Sequence, residues 1–341
     1  MEIRKLNTLR ALAALIVLVT HFSDVTGWLD GRLGGRAGQY GVMLFFLLSG
    51  FLMAYLYLDK ECNKENLKSY ILARIGRVLP LYFLVVVGSY LLYSAGFQGL
   101  YEIADYKKLI AHLVFSYGES VLWTIAPEIQ FYFIFMALWF LAAWRAGYIY
   151  LLIVGFLIFL FFANFLLVYG EVQGIPYNFF HLFRSLPYFF VGVILGMHYR
   201  CFKVPDYLRS HWFVVVLLLI PLMYPYFTPV TSDAKMKMWL SYEVLLVMGA
   251  IFFCIVYLVP DNNILLSNKI GDFLGKISYS LYLLHMPIIL QLNKLGISVE
   301  LKLLLFLLLS VLVAYLSYRY LERPLANLVR NVPSCKRIIS K

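Results

Sequence analysis

Arg10 and His21 stand 11 positions apart in an otherwise apolar stretch, and at 100° per residue that spacing leaves them within about 20° of each other around a helix. They share one face, about 16 Å apart along the axis. One end of such a face suits an anion and the other suits proton transfer, because histidine is the side chain that ionises near neutral pH. The plainer reading of the pair is a snorkelling arginine and a packed, hydrogen-bonded histidine. Arg74 and Arg77 are spaced i, i+3, so a helix brings both guanidiniums to one side, where they can grip a diphosphate; the alternative is simple anchoring at a membrane surface. Glu128 follows Pro127 inside an apolar block. A carboxylate in lipid must face the bundle interior, opposite a cation or a polar substrate. Three further features stay open: Ser278, Tyr282 and His285 on one helical face, Arg184 near His181, and Asp24 three residues beyond His21, where it either orients the imidazole or faces outward.

Several chemistries are excluded. The six histidines are scattered, with no His-Glu-x-x-His pattern, so no metal is expected. There is no Gly-x-Ser-x-Gly elbow, P-loop or dinucleotide fingerprint. Four cysteines are too few for a disulfide scaffold, and Cys62, Cys201, Cys254 and Cys335 are expected to be reduced.

The elements that must hold these residues follow from composition. The chain has 341 residues, 62% hydrophobic and 14% charged, against about 25% charged in a soluble domain. That excludes a soluble globular enzyme. Apolar runs at roughly 8–27, 39–58, 78–97, 120–144, 148–169, 179–198, 212–228, 239–259, 276–293 and 302–320 each match a bilayer's hydrocarbon core. The expected fold is an all-α polytopic bundle of about ten spans, and the first run, which lacks a cleavage site, is read as a retained span. With the N-terminus in the cytoplasm, 20 Lys and Arg fall on cytoplasmic segments and 8 outside. Both termini are therefore expected in the cytoplasm, in a multi-pass protein of the inner, cytoplasmic membrane. The net charge of +11 is then topology and attraction to lipid headgroups rather than affinity for nucleic acid. No linker or repeat divides the chain, so residues 1–325 are read as one membrane domain and 326–341 as a basic cytoplasmic tail.

In order, Arg10 and His21, Gly41 to Phe51, Arg74-Ile75-Gly76-Arg77 with Pro80 and Tyr82, Trp123 with Glu128 and Gln130-Phe131-Tyr132, Ile277 to His285, and Glu322-Arg323-Pro324 resemble the integral membrane acyltransferase-3 family over about residues 6 to 325. The resemblance implies an O-acyltransferase, usually an O-acetyltransferase, with acetyl-CoA in the cytoplasm as acyl donor. Its acceptor would be a hydroxyl of a surface or lipid-linked carbohydrate, such as an O-antigen, capsule or exopolysaccharide sugar. It places catalysis on His21 and Glu128 and donor binding on Arg10, Arg74 and Arg77. The sequence departs from the family at Ile129, where many relatives carry a second acid. Many relatives also carry a fused SGNH-type domain, for which 341 residues leave no room, so a stand-alone form is expected, acting directly or with a separate extracytoplasmic partner or as a homo-oligomer. A proton-coupled transporter with a relay of buried Arg, His and Glu is the rival reading.

Overall fold

The computed structural model describes residues 3–97, 100–145, 147–162, 169–172, 174–178, 180–228 and 238–330. Cys335 and the rest of the expected basic tail beyond residue 330 lie outside them. Helices dominate in chain order: α1 (Arg4–Thr26), α2 (Gly38–Tyr57), α3 (Lys64–Ser94), α4 (Tyr106–Leu113), α5 (Ile125–Trp144), α6 (Gly147–Phe162), α7 (Phe180–His198), α8 (Leu219–Leu222), α9 (Tyr242–Phe253), α10 (Lys269–Asn293), α11 (Val299–Ser317) and α12 (Arg323–Arg330). A small antiparallel hairpin, β1 (Tyr169–Val172) with β2 (Ile175–Asn178), interrupts the series before α7. The chain folds as an all-α membrane bundle.

Among the described residues, seven helices are long and apolar enough to cross a membrane by themselves. The sequence reading expected about ten spans. The difference lies in the segments around α6, the 3₁₀ run His211–Leu218 continued by α8, and α9 continued by the π-turn Cys254–Leu258. None of them is a single helix of full span length. One end gathers Lys5 with Asp261, Arg200 with Asp59, and the Trp139 indole donating to the Lys60 carbonyl. The other gathers Tyr40 against Tyr224, the Tyr101 hydroxyl donating to the Leu283 carbonyl, and the Asn293 amide donating to the Val25 carbonyl.

Helix starts are set by caps that hydropathy does not weigh. Asn63 accepts from the Asn66 amide and Asn268 from the Gly271 amide, so α3 and α10 begin at Lys64 and Lys269 rather than at residues 78 and 276. Arg74 and Arg77 therefore lie on α3 one turn apart, as their i, i+3 spacing expects.

Glycines let the site helices touch. A Cβ on Gly192 would lie 2.2 Å from the Leu47 carbonyl oxygen, and one on Gly50 would lie 2.1 Å from that of Phe189, so α2 and α7 pack backbone to backbone. A Cβ on Gly275 would lie 2.2 Å from the Asn7 carbonyl oxygen, which draws α10 onto α1. The α1–α10 contact brings His285 to His21.

Candidate active site

Three adjoining cavities run through the bundle. The central one, about 90 Å³, is lined by Arg10 from α1, Ser49 from α2, Arg74 and Arg77 from α3, and Glu128 from α5. A second, about 280 Å³, opens at the end that holds Lys5 and Asp261 and is bordered by Arg10, Arg77, Lys276 and Arg323. Arg10 and Arg77 border both. A third, about 210 Å³, lies toward the opposite end and contains His21, Asp24, Arg36, Gln39, Ser120 and Trp123. Val42 and Tyr282 form the partition between it and the central cavity, since both line each space.

Arg10, Arg74 and Arg77 converge on the central cavity, as the spacing i, i+3 on one helix and a face shared with His21 on the other require. Among the described residues none of the three forms an ion pair within 4.0 Å of a carboxylate, and the Arg74 Nε is buried without a hydrogen-bond partner. Three part-buried guanidiniums that no carboxylate pairs directly make a candidate anion site. Glu128 sits among them but is held by hydroxyls: Ser49 Oγ donates to its Oε1 at 2.7 Å and the Tyr132 hydroxyl donates to the same oxygen at 3.0 Å. Two hydroxyl bonds hold the carboxylate in the same cavity as the arginines without a direct ion pair to any of them.

His21 lies beyond the partition. Its Nδ1 is 2.9 Å from Nε2 of His285, and the two rings meet edge to edge with 8° between their planes. His285 is fully buried and its Nδ1 is 2.7 Å from the Tyr282 carbonyl oxygen. The pairing of His21 with His285 across 264 positions has no local sequence signal. Asp24 does not hold the imidazole: its Oδ1 accepts from the Gly35 amide at 2.7 Å and ties down the connection between α1 and α2. Arg184 is an aromatic-caged cation, with its guanidinium carbon 4.2 Å from the centre of the Trp123 ring and 5.0 Å from that of Trp239. Trp123 therefore presents one face to a cation and lines the His21 cavity as well.

Lys276 and Arg323 at the basic mouth went unassigned in the sequence, although both sit within motifs that the resemblance picked out or adjoins. A cation beside a span ordinarily signals orientation, so only three-dimensional convergence separates these two from other surface lysines and arginines. His112, by contrast, is buried outside the site and satisfied at both ring nitrogens, by the Lys108 carbonyl at 2.7 Å and the Glu119 amide at 3.0 Å. Burial lowers its affinity for a proton. No cluster of three His, Cys, Asp or Glu with metal-binding geometry occurs among the described residues, and Cys62, Cys201 and Cys254 are free thiols.

A family model described as "Acyltransferase domain" matches residues 3–319. The chain is 25% identical to "Putative O-acetyltransferase SACOL0978" of Staphylococcus aureus (strain COL) over 94% of its own length and 56% of that protein. It is 24% identical to "O-acetyltransferase OatA" of Staphylococcus aureus (strain NCTC 8325 / PS 47), again over 94% of this chain and 56% of that one. A viral protein, "Putative acetyltransferase ORF330" of Acidianus two-tailed virus, is 28% identical over 74% of this chain and 73% of its own. The chain thus spans about half the length of the staphylococcal relatives it matches. No solved structure matches it.

Proposed function

The chain belongs to the acyltransferase family whose model it matches from residue 3 to residue 319, and from that premise we propose that it is a membrane O-acetyltransferase. The donor is acetyl-CoA, entering from the cytoplasm at the mouth bordered by Arg10, Arg77, Lys276 and Arg323. The acceptor is a hydroxyl of a surface or lipid-linked carbohydrate, entering the opposite cavity beside His21. The observation that carries this reading is the order of the three spaces: a mouth bordered by Lys276 and Arg323, a central cavity lined by Arg10, Arg74, Arg77 and Glu128, and a cavity holding His21 toward the other end. A donor with phosphates at one end and a thioester at the end of a flexible arm has that same order.

The arginines hold the donor's phosphates as bidentate cations, which a long reach from a single surface lysine would not do. Glu128 accepts from the donor arm through Oε2, the oxygen that bears neither hydroxyl bond. The arm passes the Val42 and Tyr282 partition and presents its thioester to His21. As the acceptor's oxygen attacks the acyl carbon, His21 takes its proton. The tetrahedral intermediate collapses with cleavage of the carbon–sulfur bond, and the proton passes from His21 to the departing sulfur, giving an ester and a thiol. General-base assistance of this kind is typically worth about 10²- to 10⁴-fold. Trp123 offers the acceptor sugar a flat apolar surface, with Gln39 and Ser120 as hydrogen-bonding neighbours.

The test uses purified protein in lipid nanodiscs, given acetyl-CoA and membrane glycan from the source cell. Acceptor-dependent release of free CoA with matching ester formation is expected, and His21→Gln, which keeps size and hydrogen bonding, is expected to bind acetyl-CoA normally and to transfer nothing. A proton-coupled transporter would release no CoA under any of these conditions. Well-folded His21→Gln protein that transfers at the parental rate would remove His21 from the mechanism.

A further inference from the structure

A carbonyl oxygen only accepts, so the 2.7 Å contact from His285 Nδ1 to the Tyr282 carbonyl fixes the hydrogen on Nδ1. His285 is fully buried and no carboxylate bonds it among the described residues, which keeps the ring neutral. Its Nε2 is then an acceptor. That acceptor lies 2.9 Å from His21 Nδ1, which must therefore donate. His21 Nε2 is left with the lone pair, on the ring that lines the outer cavity.

We propose that His285 is the positioning residue of the reaction: it holds His21 in the Nδ1–H tautomer, so that Nε2 is the nitrogen that takes the acceptor's proton. The inference rests on the reading of His21 as general base. Without a fixed partner a neutral imidazole divides between two tautomers and two ring flips, and only one of those arrangements points a lone pair at the acceptor. When His21 becomes an imidazolium, the bond to His285 turns charge-assisted and shorter in kind, so the same contact favours the protonated intermediate. Because both hydrogens on this path are already placed, His285 neither gains nor loses a proton; the moving proton passes from the acceptor hydroxyl to His21 Nε2 and on to the thiol of the departing CoA. The contact is built by the backbone, because α1 and α10 approach closely at Gly275 and Asn7 on the same helix pair. The rings are nearly coplanar, 8° apart with 5.2 Å between centroids, which is the arrangement an in-plane bond from Nδ1 to Nε2 requires.

Two replacements separate positioning from packing. In His285→Gln the side-chain oxygen reaches about as far as Nε2 did and can accept from His21. In His285→Asn the amide replaces Nδ1, keeping the bond to Tyr282 but falling short of His21. Purified proteins in nanodiscs are compared for thermal stability, KM for acetyl-CoA and kcat. The expected result is an Asn variant with parental stability and KM but kcat lower by about 100-fold, as for loss of a base's alignment, and a Gln variant within about tenfold of the parent. Equal kcat in the two variants, whether high or low, overturns the inference, and so does loss of the folded state in both. His21→Gln run in parallel keeps the two claims apart. If it transfers, the base assignment fails; if it is silent while both His285 variants match the parent, only the positioning role fails.

Discussion

At the scale of single residues, Arg74 and Arg77 carry the sharpest expectation. Both face the central cavity without a carboxylate partner, so neither should matter much to folding and both should matter to an anionic donor. Arg74→Ala and Arg77→Ala are each expected to weaken acetyl-CoA binding by about 1.5 to 3 kcal/mol, read by calorimetry on nanodisc-embedded protein. Lysine at either position should recover only part of that, because a point charge lacks the guanidinium fork. Donor affinity unchanged in both alanine variants would withdraw the phosphate assignment. These two arginines, with Arg10, His21 and Glu128, were legible in the sequence for one reason: an ionisable side chain in an apolar run is costly and demands an explanation. His285 was visible as a candidate by the same logic. Its partner was not, since a tautomer depends on which atom of a distant helix stands 2.9 Å away.

At the scale of elements, the positions of α1, α2, α7 and α10 are decided by glycines rather than by the apolar stripes that marked them as spans. A methyl on Gly192 would meet the Leu47 carbonyl oxygen at 2.2 Å and the Phe51 amide nitrogen at 2.9 Å. Backbone atoms of a packed helix cannot step aside as a flexible side chain can, so α2 and α7 must separate. Gly192→Ala is expected to destabilise by about 1 to 3 kcal/mol, and Gly192→Leu to prevent accumulation of folded protein, whereas Gly155→Ala on α6, with nothing within 4 Å of the new methyl, should be close to neutral. Fluorescence-detected size exclusion against temperature measures all three; parental stability of Gly192→Leu would refute the close packing of α2 on α7. Gly50 meets the Phe189 carbonyl in the same packing, and nothing local in the sequence says which helix would lie against it. Helices α3 and α10 begin before the apolar runs at 78 and 276, because hydropathy registers lipid contact while Asn63 and Asn268 cap each helix further out.

At the scale of the whole molecule, the two mouths of the passage differ in charge, and function depends on which faces the cytoplasm. The basic mouth, with Lys276 and Arg323, is at the end that also holds Lys5, Asp59 and Arg200. On the 20 to 8 division of Lys and Arg in the sequence we propose that this end faces the cytoplasm and that the His21 cavity faces outward. Single cysteines at Arg32, on an exposed turn, and at Lys64, exposed at the start of α3, test the assignment in a background with the four native cysteines replaced. A membrane-impermeant thiol reagent on intact cells should label Arg32→Cys, and should reach Lys64→Cys only after permeabilisation. The opposite pattern would turn the guanidinium cluster away from the pool of acyl-CoA. The anion site would then be bound to a different ligand, and the direction of transfer would fail together with the topology, even if His21 remained a base.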